Sequence, residues 1–114
     1  MTDQFETIVS ESTGPHIVKL NDWISCAPFE MLLNIEIIIA ENAKATLKMP
    51  FYYDYAQGAG LMHGGAIVSL ADTAVVMAIK SFLPPQTHFA TISLNSKFLY
   101  PVKKHNPHIQ YEHI

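Results

Sequence analysis

Between Ala43 and Met49 the chain alternates strictly. Ala43, Ala45, Leu47 and Met49 are apolar, and Lys44, Thr46 and Lys48 between them are polar. A period of two sends alternate residues to opposite faces, so this stretch predicts a strand with one buried and one wet face. The run 35–40 is rich in β-branched isoleucine and predicts a partner strand. A tight turn at Glu41-Asn42 joins them, since Asn tolerates positive φ. Residues 89–100 alternate again: Ala90, Ile92, Leu94, Phe98 and Tyr100 against Thr91, Ser93, Asn95 and Lys97. Pro101 closes that strand, 103–107 turns the chain, and 108–114 begins a fourth. Residues 65–83 are apolar nearly all round and end at Pro84-Pro85, which predicts one long buried helix.

The remaining segments are less periodic. Residues 2–10 predict a short helix capped by Thr2 or Asp3 and broken by Gly14-Pro15. It lies within a polar N-terminal arm, residues 1–20, ahead of a single domain at 21–114. Residues 22–33 predict a helical stretch interrupted at Pro28, with Trp23, Ile24, Phe29, Leu32 and Leu33 on its apolar face. Residues 50–62 form a loop heavy in glycine and tyrosine, where Tyr52, Tyr53 and Tyr55 are expected to pack locally or one of them to line a pocket. A hairpin, a long helix and further strands give an α+β, two-layer arrangement, with an antiparallel sheet wrapped around one central helix.

Composition narrows the classes. At 114 residues this is one domain, and 49% hydrophobic against 15% charged residues predicts a globular chain. The net charge is −3 and all seven basic residues are lysine, which argues against a nucleic-acid partner. Cys26 is the only cysteine and has no disulfide partner in the chain, which fits a reducing cytoplasm, and it reads as a small packing residue. The polar, acidic N-terminus does not read as a secretory signal. The stretch 66–83 is barely long enough to span a bilayer and carries Ser69, Asp72, Thr73, Lys80 and Ser81, so no membrane partner is expected. His105, His108 and His113 lie on a turn and a strand end without cysteine or carboxylate at ligand spacing, so no metal is expected.

The chemistry concentrates in residues 57–72, QGAGLMHGGAIVSLAD. A helix start offers unpaired N–H groups and the positive end of a macrodipole. Glycines let another group approach that backbone closely. Such a place can hold a developing oxyanion. An Asp inside an apolar helix is costly unless it has partners or a task. Together they point to acyl-transfer chemistry, with a carbonyl polariser beside a carboxylate base or nucleophile.

The same residues carry a family resemblance. Ala27-Pro28-Phe29-Glu30, then Gly60-Leu61-Met62-His63-Gly64-Gly65, then Ser69-Leu70-Ala71-Asp72-Thr73-Ala74 and the strand from Thr91 to Val102 resemble the PaaI-like (phenylacetic-acid-degradation-type) acyl-CoA thioesterases of the hotdog-fold superfamily. The resemblance implies hydrolysis of an acyl-CoA thioester without metal or organic cofactor, in a homodimer or homotetramer whose sites lie between subunits. Carried over by motif position, Gly64 would donate its N–H to the thioester carbonyl, with Gly65 beside it in the substrate-binding turn. Asp72 would be general base or nucleophile, and Thr91 would match a water-holding hydroxyl. His63 would set the glycine turn. Gln57 stands where the family usually has Asn. Apart from the motif, Lys103 and Lys104 read either as a solvated turn or as facing the CoA phosphates. The family continues for further strands, so the chain reads as shortened at its C-terminus. Gln57 and that shortening favour an alternative, a catalytically degenerate hotdog subunit for acyl binding or assembly. Dehydration of a hydroxyacyl thioester is a third possibility.

Overall fold

The alternating stretch forms the middle strand of a three-stranded sheet. The computed structural model describes residues 2–9, 14–87, 89–97 and 108–113. In chain order these form β1 (Thr2–Val9), α1 (Pro28–Leu32), β2 (Glu36–Glu41), β3 (Lys44–Pro50), α2 (Gly64–Lys80), β4 (Phe89–Lys97) and β5 (His108–His113). One sheet has the order β2-β3-β5 and the other pairs β1 with β4, all antiparallel.

The period-two pattern of β3 is realised: Ala45, Leu47 and Met49 are buried. They meet α2, which packs mainly across β3 and β5. Leu70, Ala71, Ala74, Met77 and Ala78 form the facing stripe, at the three- and four-residue spacing of one helix face. Ile35 and Met62 close the ends of this core.

Several boundaries differ from expectation, each for a local reason. The β2–β3 turn lies one residue later, at Asn42 and Ala43, which both adopt left-handed φ of 53° and 63°. Two successive positive φ values are the mirror-image turn whose twist suits a two-residue hairpin. The register of β2 slips between Ile37 and Ile39, and this bulge leaves Ile38 and Ile39 both exposed. Residues 2–9 are a strand and not a helix: β1 pairs along β4 from Thr2↔Lys97 to Val9↔Phe89. Its partner is remote in sequence, and Thr7, Ile8 and Val9 suit a pleated strand better than a helix.

The expected helix at 22–33 shrinks to α1. Pro28 occupies the first helical turn and disfavours helical geometry at the residue before it. Upstream, the Asp22 carboxylate accepts from Trp23 N–H at 2.9 Å and its carbonyl accepts from the Ser25 hydroxyl at 2.7 Å. Those local bonds replace a helical ladder. Helix α2 runs 64–80 instead of 65–83, with Ser81 as its C-cap. It is not buried all round: Val68, Ser69, Asp72, Val76 and Ile79 are only half-buried. Among the described residues no helix is long and apolar enough to cross a membrane.

Candidate active site

The segment entering α2 is tied down before the helix begins. Ala56 and Met62 form an isolated antiparallel bridge. Gln57 N–H donates to the Leu61 carbonyl at 2.8 Å, and His63 N–H donates to the Tyr55 carbonyl at 2.7 Å. His63 is thereby delivered as N-cap with extended backbone, φ −61° and ψ 133°.

A new helix has four unsatisfied N–H groups, and here they are shared out unevenly. The Ala66 and Ile67 N–H groups both donate to the His63 carbonyl, at 3.0 and 3.3 Å. Gly65 N–H donates to His63 Nδ1 at 2.8 Å. An Nδ1 that accepts carries no proton, so the neutral ring has its hydrogen on Nε2. No acceptor among the described residues takes the Gly64 N–H. The two glycines therefore differ. Gly64 supplies a free donor at the positive end of the helix dipole. Gly65 makes room for the capping ring, because a Cβ there would lie 2.9 Å from His63 Nδ1.

Asp72 lies further along α2, half-buried and with an interaction of its own. Ser69 donates its hydroxyl to the Gly65 carbonyl at 2.8 Å, and Thr73 donates to the Ser69 carbonyl at 2.8 Å. These two bonds stitch the Gly65 turn to the segment bearing Asp72. At a rise of 1.5 Å per residue, Asp72 is about 12 Å along the axis from Gly64. Reacting groups must approach within roughly 3–3.5 Å of one another. On one copy of α2 the two groups are more than two turns apart.

The other sequence-predicted residues are placed as follows. The Gln57 side-chain oxygen accepts from the Ala59 N–H, so that carbonyl serves its own turn. Thr91 lies in β4 opposite Thr7, with its side chain outside the described residues. Lys103 and Lys104 also lie outside them. Among the described residues no three His, Cys, Asp or Glu side chains cluster at metal-binding distance.

The tyrosine loop was read in part. Tyr52 packs on Tyr55, with ring centroids 5.6 Å apart, but Tyr52 and Tyr53 are 53% and 92% exposed, and both line a groove with Asp54 and Gln57. The run of three tyrosines around one Asp, between Pro50 and Gly58, is the signal for it. At the far end of α2, Trp23 Nε1 donates to the Lys80 carbonyl at 2.9 Å, and Lys80 Nζ donates to the Trp23 carbonyl at 3.1 Å. That pair is separated by 57 residues and leaves no periodic trace.

Comparison with known proteins bears on the fold. A solved structure of a conserved protein from Pseudomonas aeruginosa superimposes with a TM-score of 0.50 at 23% identity, covering 54% of this chain and 48% of that one. The fold is the hotdog fold, α+β with antiparallel strands against one long helix. A protein of Halobacterium salinarum, provisionally named an esterase, is 32% identical over 76 residues, covering 62% of this chain. The chain spans about half the length of that curated relative. Residues 59–108, from the glycine turn through α2 and β4 to the start of β5, match the thioesterase superfamily.

Proposed function

We propose that the protein hydrolyses an acyl-CoA thioester in a site shared by two copies of the chain. The free Gly64 N–H at the head of α2 carries this reading. It is a preorganised donor where charge develops on a carbonyl oxygen, and it lies inside the segment that matches the thioesterase superfamily. Since Asp72 of the same helix is about 12 Å away, the carboxylate that meets this carbonyl comes from a second copy.

In the water route, Asp72 takes a proton from water as the oxygen attacks the thioester carbon. The oxyanion forms against Gly64 N–H, the C–S bond breaks, and the departing thiolate recovers the proton. In the covalent route, Asp72 attacks first, the thiolate leaves, and water then cleaves the mixed anhydride. Thr91 would hold the water, and Lys103 and Lys104 would face the CoA phosphates. Neither route calls for a metal or organic cofactor.

A non-catalytic acyl-binding subunit is the second reading. The Gln57 carbonyl, already engaged by Ala59 N–H, favours it.

The test is complementation. Gly64→Pro deletes the donor cleanly: proline suits the first helical position, and His63 already has the extended backbone that precedes proline. Asp72→Asn deletes the carboxylate at nearly constant shape. Each variant alone should lose activity. Mixed and reassociated at equal amounts, they should recover about a quarter of wild-type activity, because half the two-fold dimers are mixed and each has one intact site. Inactive mixtures of folded dimers would refute the shared site. A wild type inert toward every acyl-CoA would favour the non-catalytic subunit.

A further inference from the structure

The loop between β3 and α2 encloses a groove of about 670 Å³ lined by Phe51, Tyr52, Tyr53, Asp54, Gln57 and Gly58 among others. That volume lies within the usual range for small-molecule sites. The loop that forms it is tied down beside the groove, at Tyr55. The Tyr55 hydroxyl donates to the Leu32 carbonyl at 3.3 Å and accepts from Asn34 Nδ2 at 2.9 Å, anchoring the loop to the end of α1. The Tyr52 and Tyr55 rings stack at a tilt, 5.6 Å apart. The Ala56–Met62 bridge and the His63–Tyr55 bond tie the same loop to the segment that enters α2 at Gly64.

Among the described residues that line it, Asp54 is a carboxylate and there is no lysine or histidine. The chain has no arginine at all. A wall of that charge suits hydrogen-bond donors and uncharged groups and repels anions. The phosphates of CoA are therefore poor occupants, and the acyl end of the thioester is the better one. Given the hydrolase reading, on which this rests, we propose that the groove receives the acyl group and selects it by charge. It admits uncharged or donor-bearing acyl ends and turns away those ending in a carboxylate, with Asp54 as the residue that sets this preference.

Two acyl-CoAs of matched length, hexanoyl and adipoyl, differ at the far end by a carboxylate and so test it. The wild type should favour hexanoyl in kcat/KM by roughly fivefold or more at low salt, the scale of a screened charge pair at close range. The preference should shrink at high ionic strength. Asp54→Asn should remove most of it and become insensitive to salt. Gly58→Leu is an independent block, because a Cβ at Gly58 meets nothing within 4 Å, so the variant should fold. Gly58 is on the lining, so the added bulk at the groove should raise KM for hexanoyl-CoA more than for acetyl-CoA. An unchanged preference in Asp54→Asn, or equal KM effects on long and short acyl groups in Gly58→Leu, would overturn the assignment.

Binding keeps this distinct from catalysis. Hexanoyl and adipoyl amides of pantetheine, which cannot be hydrolysed as thioesters, can be titrated against tyrosine fluorescence. If no thioester is hydrolysed, the hydrolase reading fails, yet weaker binding of the adipoyl amide that Asp54→Asn relieves would still support the groove. Equal binding of the two amides would sink it.

Discussion

Gly65 has no room for a side chain, and the reason is its neighbour. Its N–H is capped by His63 Nδ1, and the same ring occupies the space a Cβ would need. Two effects compete in Gly65→Ala. Alanine gains up to about 1 kcal/mol of helix propensity over glycine, and displacing the cap loses about 1 kcal/mol with the added cost of the collision. The collision decides, so Gly65→Ala should destabilise the wild type by roughly 1 kcal/mol or less. In a His63→Ala background the ring is gone, and Gly65→Ala should become stabilising. Denaturant unfolding of the four proteins measures this, and the same sign in both backgrounds would dismiss the His63 cap. Gly64 has a different role. Gly64→Pro should lower turnover by about 100-fold, the weight of one oxyanion donor, while leaving the unfolding midpoint nearly unchanged. The glycine pair and its histidine were legible as a unit in the sequence. That the His63 ring caps the Gly65 N–H was not, because it depends on which N–H the ring reaches.

Elements were legible where one face faces a core. The alternation in β3 and the apolar run in α2 each report burial directly, and both were located to within a few residues. Strand β1 was misread because its pairing with β4 spans most of the chain, and α1 because Pro28 and the Asp22–Ser25 bonds outweigh the apolar spacing. The hairpin turn gives an element-scale prediction. Ala43 sits at φ 63°, where a Cβ costs roughly 1–2 kcal/mol. Glycine relieves that at an entropic cost of about 0.5–1 kcal/mol. Ala43→Gly should therefore stabilise by several tenths of a kcal/mol, and its N–H can still reach Ser81 Oγ. A drop in melting temperature would contradict the turn.

The clasp at the end of α2 gives another. Burial holds the Lys80 ammonium, 4.6 Å over the Trp23 ring, below its ordinary value, against a weaker opposing pull from Glu30. The unfolded chain then keeps more protons than the folded one between the two values, so this term raises stability as pH climbs toward about 10.5. Cys26, pushed up by burial and by Glu30, works in the opposite direction above its ordinary 9.0. Measured in a Cys26→Ala background, the upward slope should vanish with Lys80→Met. A slope that persists there would belong to another group.

At the scale of the whole molecule, what one chain leaves uncovered fits the proposed shared site. Strand β2 is an outer strand of its sheet, and its bulge exposes Ile38 and Ile39. Helix α1 exposes Phe29, Met31 and Leu32. Open edges and apolar patches recruit other chains, and a domain of this size buries a limited core alone. Asp72 lies on a half-buried face of α2, more than two turns from Gly64, and in the proposed shared site it serves the carbonyl held at Gly64 of a second copy. Association would cover the first set of groups and complete the second. Two measurements should therefore move together. Sedimentation at low micromolar concentration should show a dimer or larger species. Specific activity toward acyl-CoA should fall on dilution over the same concentrations at which the dimer dissociates, because the populated species follows mass action. Aggregation should be the failure mode of variants that weaken the dimer, since they leave the β2 edge and α1 exposed. A compact monomer with undiminished specific activity on dilution would refute the shared site, and with it the requirement that a second copy supplies Asp72.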